Sequence, residues 1–325
     1  MVYALTPRFI IMKFFTNPTK SPHAFCGHAC SYLFLVTSMV LSHINGVKAA
    51  ESFCPTGSSP DPRVIWCDDF ESETPLSTKY FDFDPDNGDF SRIDYEHYSG
   101  LHSLRARWQT GEVDAGHFAY NFGRNPLGSQ SHPNQDFQEI YWRFYTKLQD
   151  TFVGYPDKMT RATIFAGSNW QQAMIAHIWS SSGQPEVLLM DPTSGVNNSS
   201  QLVTTKWNDF ANLIWLGARE GSSPLIKGTW QCVEIHVKLN TPGQADGVME
   251  FWVDDVPQAQ RNDLAWVKNW SDYGINSIFF SNYTNAGSPA TQERYMDNLV
   301  ISTGRIGCLG ASPPKPPSNV RVMVE

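Results

Sequence analysis

The chain has 325 residues, a formal net charge of −8 at pH 7 and 13% aromatic residues, including 11 Trp and 12 Tyr. It has no cluster of Lys and Arg, and a nucleic-acid partner would require a basic stripe that releases counterions from phosphates, so the sequence predicts no nucleic-acid partner. The many aromatic rings suit either a large core or stacking on flat ligand faces.

The first feature along the chain is an apolar segment at residues 29–41, which has the length of a secretory signal core. Lys13 and Lys20 precede it, no acidic residue occurs before Glu51, and small residues follow at 47–50. The segment is shorter than the ~20 residues that a membrane-spanning helix needs. We therefore expect residues 1–50 to be a signal peptide with its upstream segment. The mature protein would then be secreted, extracellular or periplasmic, with no membrane attachment after cleavage.

Four cysteines follow the predicted signal: Cys54, Cys67, Cys232 and Cys308. An even number in an exported chain predicts disulfide bonds, and four cysteines allow three pairings. Their spacing is too wide for a structural zinc site. A bond from Cys308 to Cys54 or Cys67 would join the two ends of the mature chain, and this is the pairing we hypothesise.

Short segments of alternating hydrophobicity, separated by Gly, Pro, Asn, Asp and Ser, recur through the mature chain. This spacing predicts a dozen or more strands in a sandwich or barrel. The predicted strands are 64–70, 103–108, 117–122, 138–148, 161–166, 173–179, 186–190, 202–207, 230–239, 248–253, 277–283 and 294–302. Residues 240–247 read as a hairpin turn between two of them, and residues 207–220 as the place for one short helical turn.

These patterns predict a single all-β domain over residues 51–310. Residues 311–325 begin with Ala311-Ser312-Pro313-Pro314-Lys315-Pro316-Pro317, a composition typical of an extended tail. We expect the protein to be a monomer.

The segment from Ile140 to Lys147 alternates most clearly. Its apolar residues Ile140, Trp142 and Phe144 share one face, which predicts a half-buried strand. The opposite face carries Tyr141, Arg143, Tyr145 and Lys147. Such a face is typical of the lining of a groove for a polar, anionic chain.

The chain resembles secreted polysaccharide lyases and related carbohydrate-active proteins with the concanavalin A-like jelly roll. The resemblance depends on short signatures spread over most of the mature chain: Asp68-Asp69-Phe70-Glu71, residues 102–107, residues 140–148 followed by Lys158-Met159, residues 230–240, residues 247–254 and Tyr295-Met296-Asp297-Asn298. It implies an all-β jelly-roll sandwich of two antiparallel sheets, with a substrate groove across a concave face. It also implies β-elimination on a uronic-acid polymer such as alginate or glucuronan.

A lyase of this kind must neutralise a uronate carboxylate, remove the neighbouring proton and protonate the leaving oxygen. We predict Arg143 as the carboxylate clamp, Lys158 as a second cation or alternative base, and His177 as the base. Tyr283 resembles the late-strand Tyr that alginate lyases use as acid or base. The Gln-x-His pair of those enzymes is broken here, because position 175 is Ile.

Substrate contacts are predicted at Tyr141, Tyr145, Gln171 and Trp179. The parity of the strand at 171–179 places Gln171, His177 and Trp179 on one face. These assignments require His177, Arg143 and Tyr283 to project from neighbouring strands into a single trough.

The reaction requires no cofactor, but a structural calcium ion is predicted where the first and last strands meet. Asp69 and Asp297 would supply carboxylate oxygens there, which are the ligands that calcium prefers.

Two other functions remain open at this point. The same groove could bind a glycan without chemistry, since binding modules share the scaffold. Glu234 or Glu250 could instead serve a hydrolase of neutral glucans. We interpret their strands as a solvated outer surface with cross-strand ion pairs.

Overall fold

The computed structural model describes Cys54 and residues 61–181 and 186–309. The predicted signal at 1–50 and the Pro-rich tail at 311–325 lie outside the described residues. Within them, the chain forms two antiparallel sheets of eight strands each, with almost no helix. The predicted all-β jelly-roll sandwich is confirmed.

The strands, in chain order, are β1 (Val64–Asp68), β2 (Asp82–Asp84), β3 (Phe90–Ile93), β4 (Ser103–Trp108), β5 (Asp114–Asn121), β6 (Glu139–Leu148), β7 (Lys158–Phe165), β8 (Gln172–Ser180), β9 (Leu188–Ser194), β10 (Ile214–Trp215), β11 (Arg219–Glu220), β12 (Gln231–Lys238), β13 (Gly247–Val253), β14 (Val256–Leu264), β15 (Ser277–Tyr283) and β16 (Gln292–Ser302). One short helix, α1 (Leu76–Lys79), and a 3-10 turn at Asp86–Gly88 complete the described part.

Sheet A has the strand order β14-β13-β12-β6-β16-β4-β3, with β1 paired to β16. Sheet B has the order β10-β9-β8-β7-β15-β5-β2, with β11 paired to β9. The hairpin predicted at 240–247 joins β12 to β13, which pair antiparallel.

The core lies between the two sheets. Trp142 and Phe144 of β6 are buried there, and the ring of Phe144 meets that of Phe280 edge-on at 4.8 Å. The indole Nε1 of Trp142 donates a hydrogen bond across the sandwich to Thr160 Oγ1, at 3.1 Å. Full burial of each large apolar side chain contributes roughly 1.5–3 kcal/mol. This burial fixes which face of every strand is inward, and so which residues face outward.

Two sequence predictions of local structure are wrong. Residues 202–207 do not form a strand, and residues 207–220 contain turns and the short strands β10 and β11 instead of a helical turn. Asp209 organises this loop, because its carboxylate accepts hydrogen bonds from Thr205 and Asn212. The loop then lies against sheet B, with the Trp207 ring 4.6 Å from that of Phe279 on β15.

The disulfide bonds are Cys54–Cys67 and Cys232–Cys308. The prediction of disulfides is confirmed, but the pairing of Cys308 with Cys54 or Cys67 is wrong. After β16 the chain crosses the outer face of sheet A, where the Leu309 N–H donates to the Tyr145 hydroxyl at 2.5 Å. That path brings Cys308 to β12 and away from the first strand.

None of the helices in the described residues has the length and apolarity that a membrane span requires.

Candidate active site

A pocket of about 200 Å³ opens on the outer face of sheet B. Strands β2, β5, β7 and β15 supply its floor, and the loop that carries Trp207 and Asn208 supplies one wall. The lining residues are Asp82, Asp114, His117, Lys158, Arg161, Trp207, Asn208, Phe279, Ser281 and Tyr283. Three cationic side chains, two carboxylates and a phenol therefore share one small space.

A β-bulge in β7 brings the two strongest cations of this pocket together. In a regular strand Lys158 and Arg161 would point to opposite faces, because successive side chains alternate. The register of β7 shifts between Lys158 and Thr160 in its pairing with β8. It also shifts opposite β15, between Phe280 and Tyr283. A bulge of this kind re-aims a side chain, and both cations line the pocket as a result.

Lys158 and Tyr283 are cross-strand neighbours in direct contact. The Lys158 Nζ lies 4.0 Å from the centre of the Tyr283 ring. Burial, and then the nearby charge of Arg161, lowers the pKa of Lys158 below its usual value of 10.5. A lysine with a lowered pKa is neutral more often at a given pH, so it is better able to accept a proton.

Arg161 is a buried cation with room for an anion. Only 6% of the residue is exposed, and burial alone lowers its pKa to about 9. Its Nη1 donates to Asn208 Oδ1 at 3.0 Å, and its guanidinium lies 4.2 Å from the Trp207 ring centre. Its Nε has no hydrogen-bond partner among the described residues. A guanidinium that remains charged at neutral pH and is held by neutral groups is suited to bind a carboxylate.

The opposite side of the pocket carries a second charged pair. His117 Nε2 lies 3.2 Å from Asp82 Oδ2, and this contact raises the pKa of His117 above 6.5. Asp114 pairs in register with Tyr283, and burial raises the pKa of its carboxyl group. This side of the pocket therefore offers a hydrogen-bond donor in His117, and the pKa values of His117 and Asp114 are both raised.

His177 lies on the same sheet face, directly across from Arg161 in the β7–β8 pairing. It is only 3% exposed, and burial lowers its pKa well below 6.5, so it is neutral near pH 7. Its Nδ1 is 3.1 Å from the Asp191 carbonyl, which fixes the tautomer with the proton on Nδ1. Its Nε2 has no partner within the described part of the chain.

The predicted substrate contacts Trp179 and Gln171 also belong to sheet B. Trp179 is the register partner of Lys158, and its ring lies 4.3 Å from that of His177. Gln171 lies just before β8, where its amide donates to the Thr204 carbonyl at 3.0 Å. The structure thus brings His177, Trp179, Lys158 and Tyr283 to one sheet face, with Gln171 at its border.

Arg143, Tyr141 and Tyr145 do not lie in this trough. All three are on β6 in sheet A, so the prediction that Arg143, His177 and Tyr283 line one groove is wrong. The alternation of residues along a strand shows which face of that strand is polar, but it does not show which sheet the strand joins. Arg143 is fully buried, and the Tyr145 ring stacks on Tyr98 at 3.6 Å. The Tyr141 ring stacks on His236 at 4.1 Å.

The carboxylates considered for a hydrolase are also on sheet A. Glu234 accepts hydrogen bonds from the backbone N–H groups of Ile306 and Gly307, at 2.6 and 3.0 Å. Glu250 pairs with His236 at 2.8 Å, and His236 also contacts Glu139 at 2.7 Å. The predicted cross-strand contacts are present, but Glu234 is 1% exposed and His236 is 5% exposed, so the prediction of a solvated surface is wrong for β12. Neither Glu234 nor Glu250 lines the pocket on sheet B.

The residues predicted to hold calcium are engaged by backbone donors. The Asp297 carboxylate accepts hydrogen bonds from the N–H groups of Tyr98, Ser99 and Asn298. Asp69 accepts one from the Glu71 N–H at 3.2 Å. Burial raises the pKa of Asp297 to about 7, so its carboxyl group is partly protonated near neutral pH. Carboxylate oxygens that already accept hydrogen bonds from N–H groups do not fit a hard cation, which prefers free carboxylate oxygens as ligands.

Sequence reasoning missed Arg161, His117, Asp82, Trp207 and Asn208. The Arg161 side chain joins Lys158 only through the bulge, for which the alternating pattern gives no signal. Asp82 and His117 lie 35 positions apart in the chain. Trp207 and Asn208 lie in a loop, where the sequence predicted the end of a strand and a short helical turn.

The fold and the site together define a jelly-roll sandwich with a cationic pocket on one outer sheet face. Residues 160–297, from within β7 into β16, match the family polysaccharide lyase 14. This match indicates a polysaccharide lyase.

Solved structures share the fold at low sequence identity. One is an endo-β-1,4-glucuronan lyase from the fungus Trichoderma reesei, with 13% identity and a TM-score of 0.51, over 74% of this chain and 96% of that chain. Another is a marine PL-14 alginate lyase from Aplysia kurodai, with 13% identity and a TM-score of 0.50, over 74% of this chain and 99% of that chain. No curated protein matches this chain in sequence.

Proposed function

We propose that the protein is an exported lyase that cleaves a uronic-acid polysaccharide by β-elimination in the pocket on sheet B. One observation carries the proposal. Within the described residues, Arg161 is buried without an ion-pair partner, and it shares one pocket with the Lys158–Tyr283 contact. A uronate supplies the missing anion, and its acidic C–H and leaving oxygen require a base and an acid.

In the proposed reaction the uronate carboxylate binds the Arg161 guanidinium. This contact stabilises the negative charge that develops on the carboxylate when the neighbouring C5–H proton is removed. The electron pair of that bond forms the C4–C5 double bond, and the C4–O bond to the next sugar breaks. The departing oxygen takes a proton, so one chain end carries an unsaturated uronate and the other carries a hydroxyl group.

We assign proton removal to Lys158 and protonation of the leaving oxygen to Tyr283. The lowered pKa of Lys158 supports the first role, because the neutral amine is the form that accepts a proton. The hydroxyl of Tyr283 supplies the proton in the second role. After each turnover the ammonium returns its proton to the phenolate through water in the pocket, which restores both groups.

His177 takes a positioning role in this scheme. Its neutral ring packs against Trp179, it lies opposite Arg161 in the strand register, and its Nδ1–H is held by the Asp191 carbonyl. The His117–Asp82 pair provides a further donor to the sugar on the other side of Tyr283.

Separate observations support the proposed substrate class and the proposed location of the protein. Two of the structures that share the fold are a glucuronan lyase and an alginate lyase, and both names refer to uronic-acid polymers. Two disulfide bonds suit an oxidising compartment, and they support export through the signal predicted at residues 1–50.

The test is incubation of the purified protein with glucuronan, with alginate and with a neutral β-glucan. Ultraviolet absorbance reports unsaturated uronates, and reducing-end assays report any cleavage. We expect absorbance and reducing ends to rise together on a uronan and neither to rise on the glucan. Reducing ends without absorbance would identify a hydrolase, and retention on uronan with neither signal would identify a binding module.

A further inference from the structure

Two exposed aromatic rings lie on sheet B beyond the pocket. Trp215 of β10 is 47% exposed and Phe210 is 39% exposed. They are the only exposed Trp and the only exposed Phe in the part of the chain that the structure describes. Their rings are nearly parallel, with an interplanar angle of 18° and centroids 6.1 Å apart. Together they form a flat apolar surface in contact with solvent.

This surface faces the same side of the sheet as the pocket. Trp215 pairs in register with Thr193 of β9. Asp191 lies two residues before Thr193 on β9. It pairs with His177 of β8, and His177 pairs with Arg161 of β7. Because side chains two residues apart share a face, Trp215 points to the side of His177 and Arg161. The His177 ring confirms this placement, since it lies 6.3 Å from Trp215 at an angle of 21°.

The exposed rings continue the line of groups that begins in the pocket. From Lys158 the line passes to Trp179, then to His177, and then to Trp215 with Phe210. Strand β10 is three strands from β7, and neighbouring strands lie about 4.8 Å apart. With the offset of two residues along the strands, the surface is ~16 Å from Arg161, a span of roughly three sugar rings. A polysaccharide chain held in the pocket can therefore reach it.

We propose that Trp215 and Phe210 form a distal subsite that stacks on a sugar ring of the polysaccharide, away from the bond that is cleaved. This inference rests on the proposed function for the identity of the chain in the pocket. Flat aromatic rings bind the apolar face of a pyranose, and that contact does not depend on a carboxylate. The subsite thus accepts a sugar by shape, whereas Arg161 selects a uronate by charge.

A second copy of the protein is a poorer occupant for this surface. A specific protein interface buries about 800 Å² on each partner. The exposed apolar residues here are Phe210, Ile214 and Trp215, whose exposed fractions are 39%, 37% and 47%. Three partly exposed side chains are too little for such an interface, but they match the size of a sugar ring.

The test compares Trp215→Ala and Trp215→Phe on two substrates, which are polymeric glucuronan and the shortest glucuronan oligosaccharide that the wild type cleaves. If the wild type prefers alginate, the alginate pair is used. We expect Trp215→Ala to lower the ratio of the two kcat/KM values, polymer to oligosaccharide, by about tenfold, which is ~1.4 kcal/mol of lost stacking. Trp215→Phe retains a flat ring and should recover most of the ratio. The control is Tyr95→Ala, which removes an exposed aromatic residue whose hydroxyl contacts Arg105 and Glu293 of sheet A.

An equal loss on both substrates would overturn the inference, because Trp215 would then act only through His177. An unchanged ratio would overturn it as well, and so would a change in sedimentation coefficient caused by Trp215→Ala. Affinity electrophoresis in gels containing glucuronan or alginate provides a readout without catalysis, in which Trp215→Ala in a Lys158→Ala background should migrate with less retardation. If the wild type releases no unsaturated product but retardation still depends on Trp215, the proposed function fails and the subsite stands. If retardation does not depend on Trp215, the subsite fails.

Discussion

Replacing Arg161 by methionine is expected to lower activity strongly and to leave the folded protein at least as stable. Burial lowers the pKa of Arg161 from 12.5 to about 9. At about 1.4 kcal/mol for each pH unit, the fold disfavours the charge by ~5 kcal/mol. The cation–π contact with Trp207 offsets this cost by ~1–2 kcal/mol, and the hydrogen bond to Asn208 offsets it by ~1–3 kcal/mol. Removing the charge should therefore raise the free energy of unfolding slightly or leave it unchanged.

The expected loss of activity is much larger. Arg161 is the group that neutralises the uronate carboxylate in the proposed reaction, and loss of one preorganised donor to a developing charge costs about 100- to 1,000-fold in kcat. Denaturant unfolding measures the stability of Arg161→Met, and the absorbance assay on uronan measures its rate. A variant that gains stability and loses activity identifies a side chain that contributes to activity but not to the stability of the fold.

The matched control is Arg294→Met. Burial also lowers the pKa of Arg294 to about 9, but its guanidinium donates to the Ser281 carbonyl and to Asn282 Oδ1. Removing it leaves buried acceptors without donors, so this variant should lose stability by ~1–3 kcal/mol. The reasoning is refuted if Arg161→Met is destabilised as much as Arg294→Met, or if it retains near-full activity while folded.

Three further outcomes follow from the same geometry. Tyr283→Phe should lower kcat by about 100- to 10,000-fold without a change in the circular dichroism spectrum, while the remote Tyr95→Phe should retain full activity. The rate should rise with pH with a midpoint below 10.5, because neutral Lys158 is the base and its pKa is lowered; a midpoint at or above 10.5 contradicts that role. The raised pKa of His117 means that its pair with Asp82 stabilises the fold fully below pH 6.5 and that this stability is lost as pH rises through the folded-state pKa. Urea unfolding should show ~0.5–1 kcal/mol of that dependence in the wild type and less in Asp82→Asn, where Asp114 and Asp84 still raise the pKa of His117.

Much of the fold can be predicted from alternation alone. The strands at 103–108 and 277–283 were predicted with the bounds that the structure shows, because each has an alternating apolar face that is buried in the core. Strand β14 was missed because it is largely exposed and polar, so burial leaves no pattern in its sequence. Strands β2 and β3 are too short to alternate visibly. The residues at 202–207 looked like a strand because Trp207 packs on sheet B from a loop.

The site was predictable only in part, because the sequence does not show which of the two sheets each strand joins. Alternation correctly placed His177 with Trp179, since both lie on one strand. It could not tell that β6 joins sheet A and β8 joins sheet B, so Arg143 was grouped with residues across the sandwich. Arg161 lies on sheet B with His177 and Tyr283. Its meeting with Lys158 depends on a bulge, and a bulge is a local register shift that the residue pattern does not reveal.

The most direct test of the central claim compares two lysines on the two outer faces of the sandwich. Lys158 lies in the pocket on sheet B, and Lys147 lies on sheet A, where it pairs with Glu96 at 2.8 Å. Mass spectrometry of glucuronan or alginate digests distinguishes unsaturated products from hydrolysis products, because the unsaturated ones are lighter by one water molecule. We predict that Lys147→Ala forms unsaturated products at the wild-type rate and that folded Lys158→Ala forms none. Unsaturated products from Lys158→Ala at the wild-type rate, or their loss in Lys147→Ala alone, would place the chemistry on the other sheet and contradict the account.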